Sequence, residues 1–320
     1  MNLKPLFQDD AWNTLRSMAH PDPLRLPGSI IFLGPEGVGK KRTARALFQL
    51  IHCLQPAEFE ACGACRTCML VANGNHVDLV EVEPKGSTIH VEELREVLKS
   101  NAFRPYEGRI RLILIDQAHL LGVSAANVLL KSLEEPPEYV KFVLITHERT
   151  QLLPTITSRS QFVYFRPLEE AAIWEIAERQ SLALPSELKG VFSALLGGGL
   201  ARLHTLAQAD SLEFLKKARQ WLQSSGQGGR RSWQETVQFA DQLSALSDEQ
   251  WTALFALASC ECLKAATDRA AEGQLAMAYN WAQRGLRFSQ FEQGFEANAN
   301  KKLVALLVSQ ALSGEHVAGP

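Results

Sequence analysis

Residues 34–41 read GPEGVGKK, and no other stretch of the chain narrows the fold as far. Glycines at this spacing turn backbone N–H groups onto a phosphate only where a strand delivers the loop and a helix receives it. Gly34, Gly37 and Gly39 supply the turn, and Lys40 is placed to reach terminal phosphates. The bland alternative is a glycine-rich strand-to-helix turn kept for folding. Lys41 stands where the motif reserves a serine or threonine hydroxyl for magnesium. Phosphate binding and hydrolysis therefore have to be judged separately: Lys41 can itself offset phosphate charge, so ATP or ADP binding without metal stays open.

The flanking sequence has the required order. Ser29–Leu33 is a short apolar run that predicts a buried strand, and Arg42–Leu54 has helical spacing at Ala44, Leu47, Phe48 and Ile51. The alternation continues with strands at Leu79–Val82, Arg111–Ile115, Phe142–Thr146 and Phe162–Phe165, and helices at Val91–Ser100 and Ala125–Leu133. This pattern predicts an α/β fold, a parallel sheet covered by helices. The helix carrying LLKSLEE should stop at Pro136-Pro137, since proline lacks the amide hydrogen and drives its predecessor out of helical geometry.

After Pro167 the strand signals fade. Residues 168–210 predict a small helical lid, around Ile173, Trp174 and Ile176 and around Phe192, Leu195 and Leu196, broken by Gly197-Gly198-Gly199. Residues 211–320 predict a separate all-α domain through Leu215, Ala218, Trp221, Leu222, Leu254, Leu257, Ala258, Leu303, Leu306 and Leu307, interrupted by SSGQGGR at 224–230 and frayed over the last eight residues.

With 320 residues, 46% of them hydrophobic, the chain can bury at least one large core. A net charge of −2 leaves no general basic footprint, which argues against a module that grips nucleic acid alone. The opening MNLKPLFQDDAW has no apolar signal core and no apolar run is long enough to span a bilayer, so a cytoplasmic protein is expected.

Two further groups carry chemistry. The strand LILID ends in Asp116, placed to orient magnesium or simply to cap the next turn, and Gln117 follows where a glutamate would polarise the attacking water. Four of the six cysteines fall at Cys53, Cys62, Cys65 and Cys68. Such spacing suits a closed tetrahedral zinc site, structural because no ligand position is left for reactive water; free buried thiols are the alternative. Cys260 and Cys262 lie about 200° apart around a helix and read as core. Arg159, in TITSRSQ just before the last strand, is either a solvated rim charge or a guanidinium offered to a neighbouring active site.

Taken in order, the phosphate loop, the four-cysteine insertion, LILIDQAH, NVLLKSLEEPPEYVKFVLIT and TSRS resemble the clamp-loader branch of the AAA+ family, of bacterial DNA polymerase III, over about residues 5–167. The resemblance implies a nucleotide-binding-like domain at 1–167 with a zinc insertion at 53–68, a lid at 168–210 and an oligomerising collar at 211–320. It implies gamma/tau and delta subunits as partners within the holoenzyme, and a sliding clamp loaded on primer-template DNA. The motor subunits of that family look like GVGKT in the loop and DE at the strand end. GVGKK and Asp116-Gln117 depart toward a non-motor stator with little ATP turnover of its own. Ser158, Arg159 and Ser160 match the family's Ser-Arg-Cys motif with serine in place of cysteine, which implies an arginine acting in trans on a neighbour's ATP site. Thr146 matches the sensor position, and Arg202 is a loose match to the lid sensor.

Overall fold

The computed structural model describes residues 3–57, 60–86, 88–100, 104–182, 184, 186–201, 203, 213–220, 243, 246–296 and 308. The readings at Arg202, Trp221, Leu222, 224–230, Leu303, Leu306, Leu307 and the last eight residues lie outside these. The chain divides into two compact units, residues 1–167 and 168–320.

The first unit is built on five strands, β1 (Ser29–Leu33), β2 (Leu79–Val82), β3 (Arg111–Ile115), β4 (Val140–Thr146) and β5 (Gln161–Tyr164), in the order β2-β3-β4-β1-β5 with every neighbouring pair parallel. The predicted parallel sheet is found. Strand β4, flanked by β3 and β1, is buried at all seven positions. This explains why its centre, Phe142–Ile145, is continuously apolar rather than alternating. It begins two residues before the predicted Phe142 and includes Lys141, only 4% exposed. That ammonium escapes the core by donating to the carbonyls of Leu24 and Leu26, at 2.8 and 2.5 Å.

Helices α1 (Asp9–Ala19), α2 (Lys40–His52), α3 (Arg66–Ala72), α4 (Val91–Ser100), α5 (Val123–Glu134) and α6 (Pro154–Thr157) complete the unit. Helix α5 presents Ala125, Ala126, Leu129 and Leu133 to a core that holds Ile31, Ile113, Phe142 and Leu144 of the sheet. Each large side chain so buried stabilises the fold by about 1.5–3 kcal/mol. The helix ends at Glu134, ahead of the two prolines.

Chain order makes the site. From β1 the chain crosses β4 and β3 to reach β2, then returns strand by strand, so the carboxyl ends of β1, β3 and β4 converge where the direction of winding reverses. Gly34 N–H donates to Thr146 O at 3.3 Å and joins two of these ends.

The second unit contains α7 (Glu170–Arg179), α8 (Phe192–Leu195), α9 (Asp248–Ala271) and α10 (Leu275–Glu296). Helix α9 starts with a reciprocal capping box between Ser247 and Gln250 and buries Trp251, Leu254, Phe255, Ala258 and Cys262 along one face. Helices α9 and α10 pack closely at Gly285, where an added Cβ would meet Cys262 Cβ at 3.4 Å. Cys262 is buried and Cys260 half-buried, and neither joins a metal-capable cluster among the described residues.

Candidate functional site: a phosphate loop with an internal cation

The phosphate loop joins β1 to α2 as its sequence requires. Gly37 and Gly39 have φ of 77° and 96°, in the left-handed region that side chains avoid. Gly34 is glycine for another reason: a Cβ there would lie 2.3 Å from Phe165 O. Lys40 is 6% exposed and folded back, donating to the carbonyls of Gly34 and Pro35, each at 2.5 Å. Burial pushes its pKa down to about 8, against the opposing pull of Glu36 and Asp116.

Lys41 does not point into solvent. Its ammonium pairs with Glu83 and lies 3.4 Å from Glu81 and 3.7 Å from Asp116. Burial alone would depress its pKa, but the Glu83 hydrogen bond and the charges of Glu81, Glu83 and Asp116 leave it raised. Glu81 is also gripped by Arg45, whose Nε and Nη2 both donate to its carboxylate at 2.6 Å. Asp116 fills one of the two roles read for it, the cap. One oxygen accepts from Gln117 N–H at 2.9 Å and caps the turn, while the other faces Lys41. A cation thus sits among three carboxylates where the loop and the β3 end meet, and it is covalently part of the chain.

Thr146, 1% exposed, ends β4 beside the loop. Its hydroxyl donates to Glu148 O at 2.9 Å, accepts from Glu148 N–H at 3.0 Å and contacts His119 Nδ1 at 3.3 Å. His147 Nδ1 lies 3.0 Å from Glu36 Oε1, and the His119 and His147 rings pack edge to face with centroids 4.3 Å apart.

Arg159 is not part of this cluster. It follows α6, 39% exposed, with its guanidinium donating to Thr155 O and Glu134 Oε1, each at 3.1 Å. The LEE and TSRS segments are thereby brought into contact.

Cys53, Cys62, Cys65 and Cys68 converge, their sulfurs all within 4.8 Å of one another. Cys62 N–H donates to Cys53 Sγ at 3.2 Å and Cys65 N–H to Cys62 Sγ at 3.3 Å. The N–H groups of Ala64 and Cys65, aimed at the Cys62 sulfur, lower its pKa to about 6. Four convergent sulfurs, with backbone dipoles favouring thiolate, fit a tetrahedral metal. Gln49 anchors the module to α2 by donating to Cys68 O at 3.0 Å while accepting from Leu3 N–H at 3.1 Å. A cleft of about 860 Å³ beside Cys53, bounded by Arg16, His20, Leu50 and Arg109, contains no phosphate-loop residue.

Sequence reasoning missed Glu81, Glu83, Glu36, His119 and His147. Only the first two left a signal: carboxylates two apart at the end of a strand project on the same face.

Residues 29–33, 111–115 and 140–146 thus deliver a loop, an acid and a hydroxyl to one sheet edge, and known proteins share this sequence. The chain is 39% identical over 149 residues to DNA polymerase III subunit tau/gamma of Haemophilus influenzae, covering 47% of this chain and 22% of that protein. It is 31% identical over 188 residues to DNA polymerase III subunit gamma of Buchnera aphidicola, covering 58% and 50%. The chain therefore spans about a fifth to a half of the length of these curated relatives. A solved gamma subunit-related protein from Thermotoga maritima aligns with 95% of this chain and 99% of its own at 16% identity and a TM-score of 0.47. Residues 7–169, just over half of the chain, match the family model described as DNA polymerase III, delta subunit, and the chain belongs to that family, within the AAA+ clamp loaders.

Proposed function

We propose that the chain is a non-motor subunit of the DNA polymerase III clamp loader, of the delta-prime type. It acts in the cytoplasm beside gamma/tau and delta subunits in opening the sliding clamp and placing it on primer-template DNA. Residues 1–167 serve as a nucleotide-binding-like domain, 168–210 as a lid and 211–320 as a collar joining the partners. Structural zinc on Cys53, Cys62, Cys65 and Cys68 stiffens the insertion at 53–68. Arg159 acts in trans, its guanidinium stabilising charge at a neighbour's ATP.

The observation that carries this reading is the Lys41 ammonium set among Glu81, Glu83 and Asp116. Magnesium needs the strand-end acid Asp116 and a hydroxyl from the loop; here Asp116 already faces a cation and the hydroxyl is absent. Gln117 in place of an acid removes the water-polarising group as well. ATP or ADP in the loop would then be held, if at all, by Gly34, Gly37, Gly39, Lys40 and Lys41, without turnover.

A gamma/tau-type ATPase is the competing reading, favoured by the names of the relatives at 31–39% identity. Magnesium-dependent ATP hydrolysis by the purified chain separates the two. The expected result is no turnover above background; turnover abolished by Lys40→Ala establishes the ATPase instead.

A further inference from the structure

We propose that Glu36, His119 and His147 form a transition-metal site at the mouth of the phosphate loop, separate from the four cysteines. One ligand atom from each of the three residues lies within 4.8 Å of the other two. They come from three different segments, the loop after β1, the turn after β3 and the residue following β4, which the topology brings to one edge.

The hydrogen bonds prepare the ligands. Thr146 Oγ1 spends its proton on Glu148 O, so its contact with His119 at 3.3 Å requires Nδ1 of the imidazole to be the donor. The His119 proton is then on Nδ1, which leaves the Nε2 lone pair for a metal, with the ring oriented by a neighbouring hydroxyl. His147 Nδ1 faces Glu36 Oε1 at 3.0 Å. Glu36 is 54% exposed, leaving the site open to solvent.

Two imidazoles and one carboxylate suit zinc, cobalt or nickel; magnesium and calcium prefer oxygen alone. Three protein donors leave a further position for water or a phosphate oxygen. A bound ion ties the loop to the ends of β3 and β4. The inference does not depend on the stator reading.

Cobalt(II) titration of the full chain tests it, because a nitrogen and oxygen site and a thiolate site differ in their spectra. Expected is one equivalent with visible d–d bands and no sulfur-to-metal charge-transfer band, lost in His119→Ala/His147→Ala. Glu36→Gln, in an exposed loop position, serves if the double variant misfolds, and should weaken that equivalent by at least about tenfold. The proposal is overturned if all bound cobalt shows the sulfur band, or if a folded variant takes up the sulfur-free equivalent with wild-type affinity.

Discussion

Lys41 occupies the second position of α2, where the partial positive charge of a helix N-terminus disfavours a cation, and Lys40 and Arg42 flank it without any acidic residue in that first turn. The placement is tolerable because Glu81, Glu83 and Asp116 surround the ammonium, and the dependence runs both ways. In Lys41→Thr the three carboxylates face one another with only Arg45 on Glu81. The expected loss is about 1–2 kcal/mol, discounted for a side chain that retains 29% exposure. Magnesium should recover it, since the variant combines a loop hydroxyl with vacated acidic oxygens. Thermal melts check this: Tm of the variant falls by several degrees in EDTA and returns with millimolar magnesium, while wild type is indifferent. A magnesium response in wild type equal to that of the variant would count against Lys41 as the internal cation.

Helix α2 links the site to the metal-capable module. Its first turn carries Lys40 and Lys41, its middle Arg45 and Gln49, and its end His52 followed by Cys53. His52 is the tie at that end. Its Nδ1 lies 3.0 Å from Phe48 O, and Nε2 accepts from the N–H groups of Arg109 and Ile110, at 3.2 and 3.4 Å, just ahead of β3. Gly108 has no room for a Cβ, which would fall 2.3 Å from the imidazole. Burial drives the His52 pKa from 6.5 down to about 4, against the opposing pull of the Phe48 carbonyl. The unfolded chain takes up that proton below pH 6.5 and the folded chain only near pH 4. The stability contribution is therefore full above pH 6.5 and is lost as pH falls from 6.5 to 4, by on the order of 3 kcal/mol. Urea unfolding across that window should show the loss, and His52→Gln should flatten it while costing some stability at pH 7. Parallel curves for the two proteins would refute the assignment.

Across the molecule, the sequence was most legible where one physical constraint governs a run of residues. Strands β1, β3 and β4 could be read because burial on both faces demands continuous apolar segments, and α5 because the prolines that follow it mark its end. The loop could be read because positive φ at Gly37 and Gly39 leaves little choice of residue. What escaped depends on contacts between distant segments: Lys141, outside the strand read from the sequence, is accommodated in it by the carbonyls of Leu24 and Leu26, and nothing in the spacing of Glu36, His119 and His147 joins them. Arg159 is the case where sequence and geometry must be combined. Its pairing with Glu134 joins two solvent-exposed side chains, an interaction worth about 0–1 kcal/mol, so the guanidinium can leave it at little cost. A neighbouring phosphate in a water-poor interface would repay that cost several times over. Arg159→Ala should leave the folded chain and its incorporation into the clamp loader intact, while DNA-stimulated ATPase of the whole complex falls by roughly a hundredfold or more at the adjoining site. Glu134→Gln, which frees the guanidinium without removing it, should leave that rate close to wild type. If instead Arg159→Ala complexes hydrolyse ATP at the normal rate, or fail to assemble while Glu134→Gln fails equally, Arg159 is an intramolecular brace and has no role at the neighbour's nucleotide.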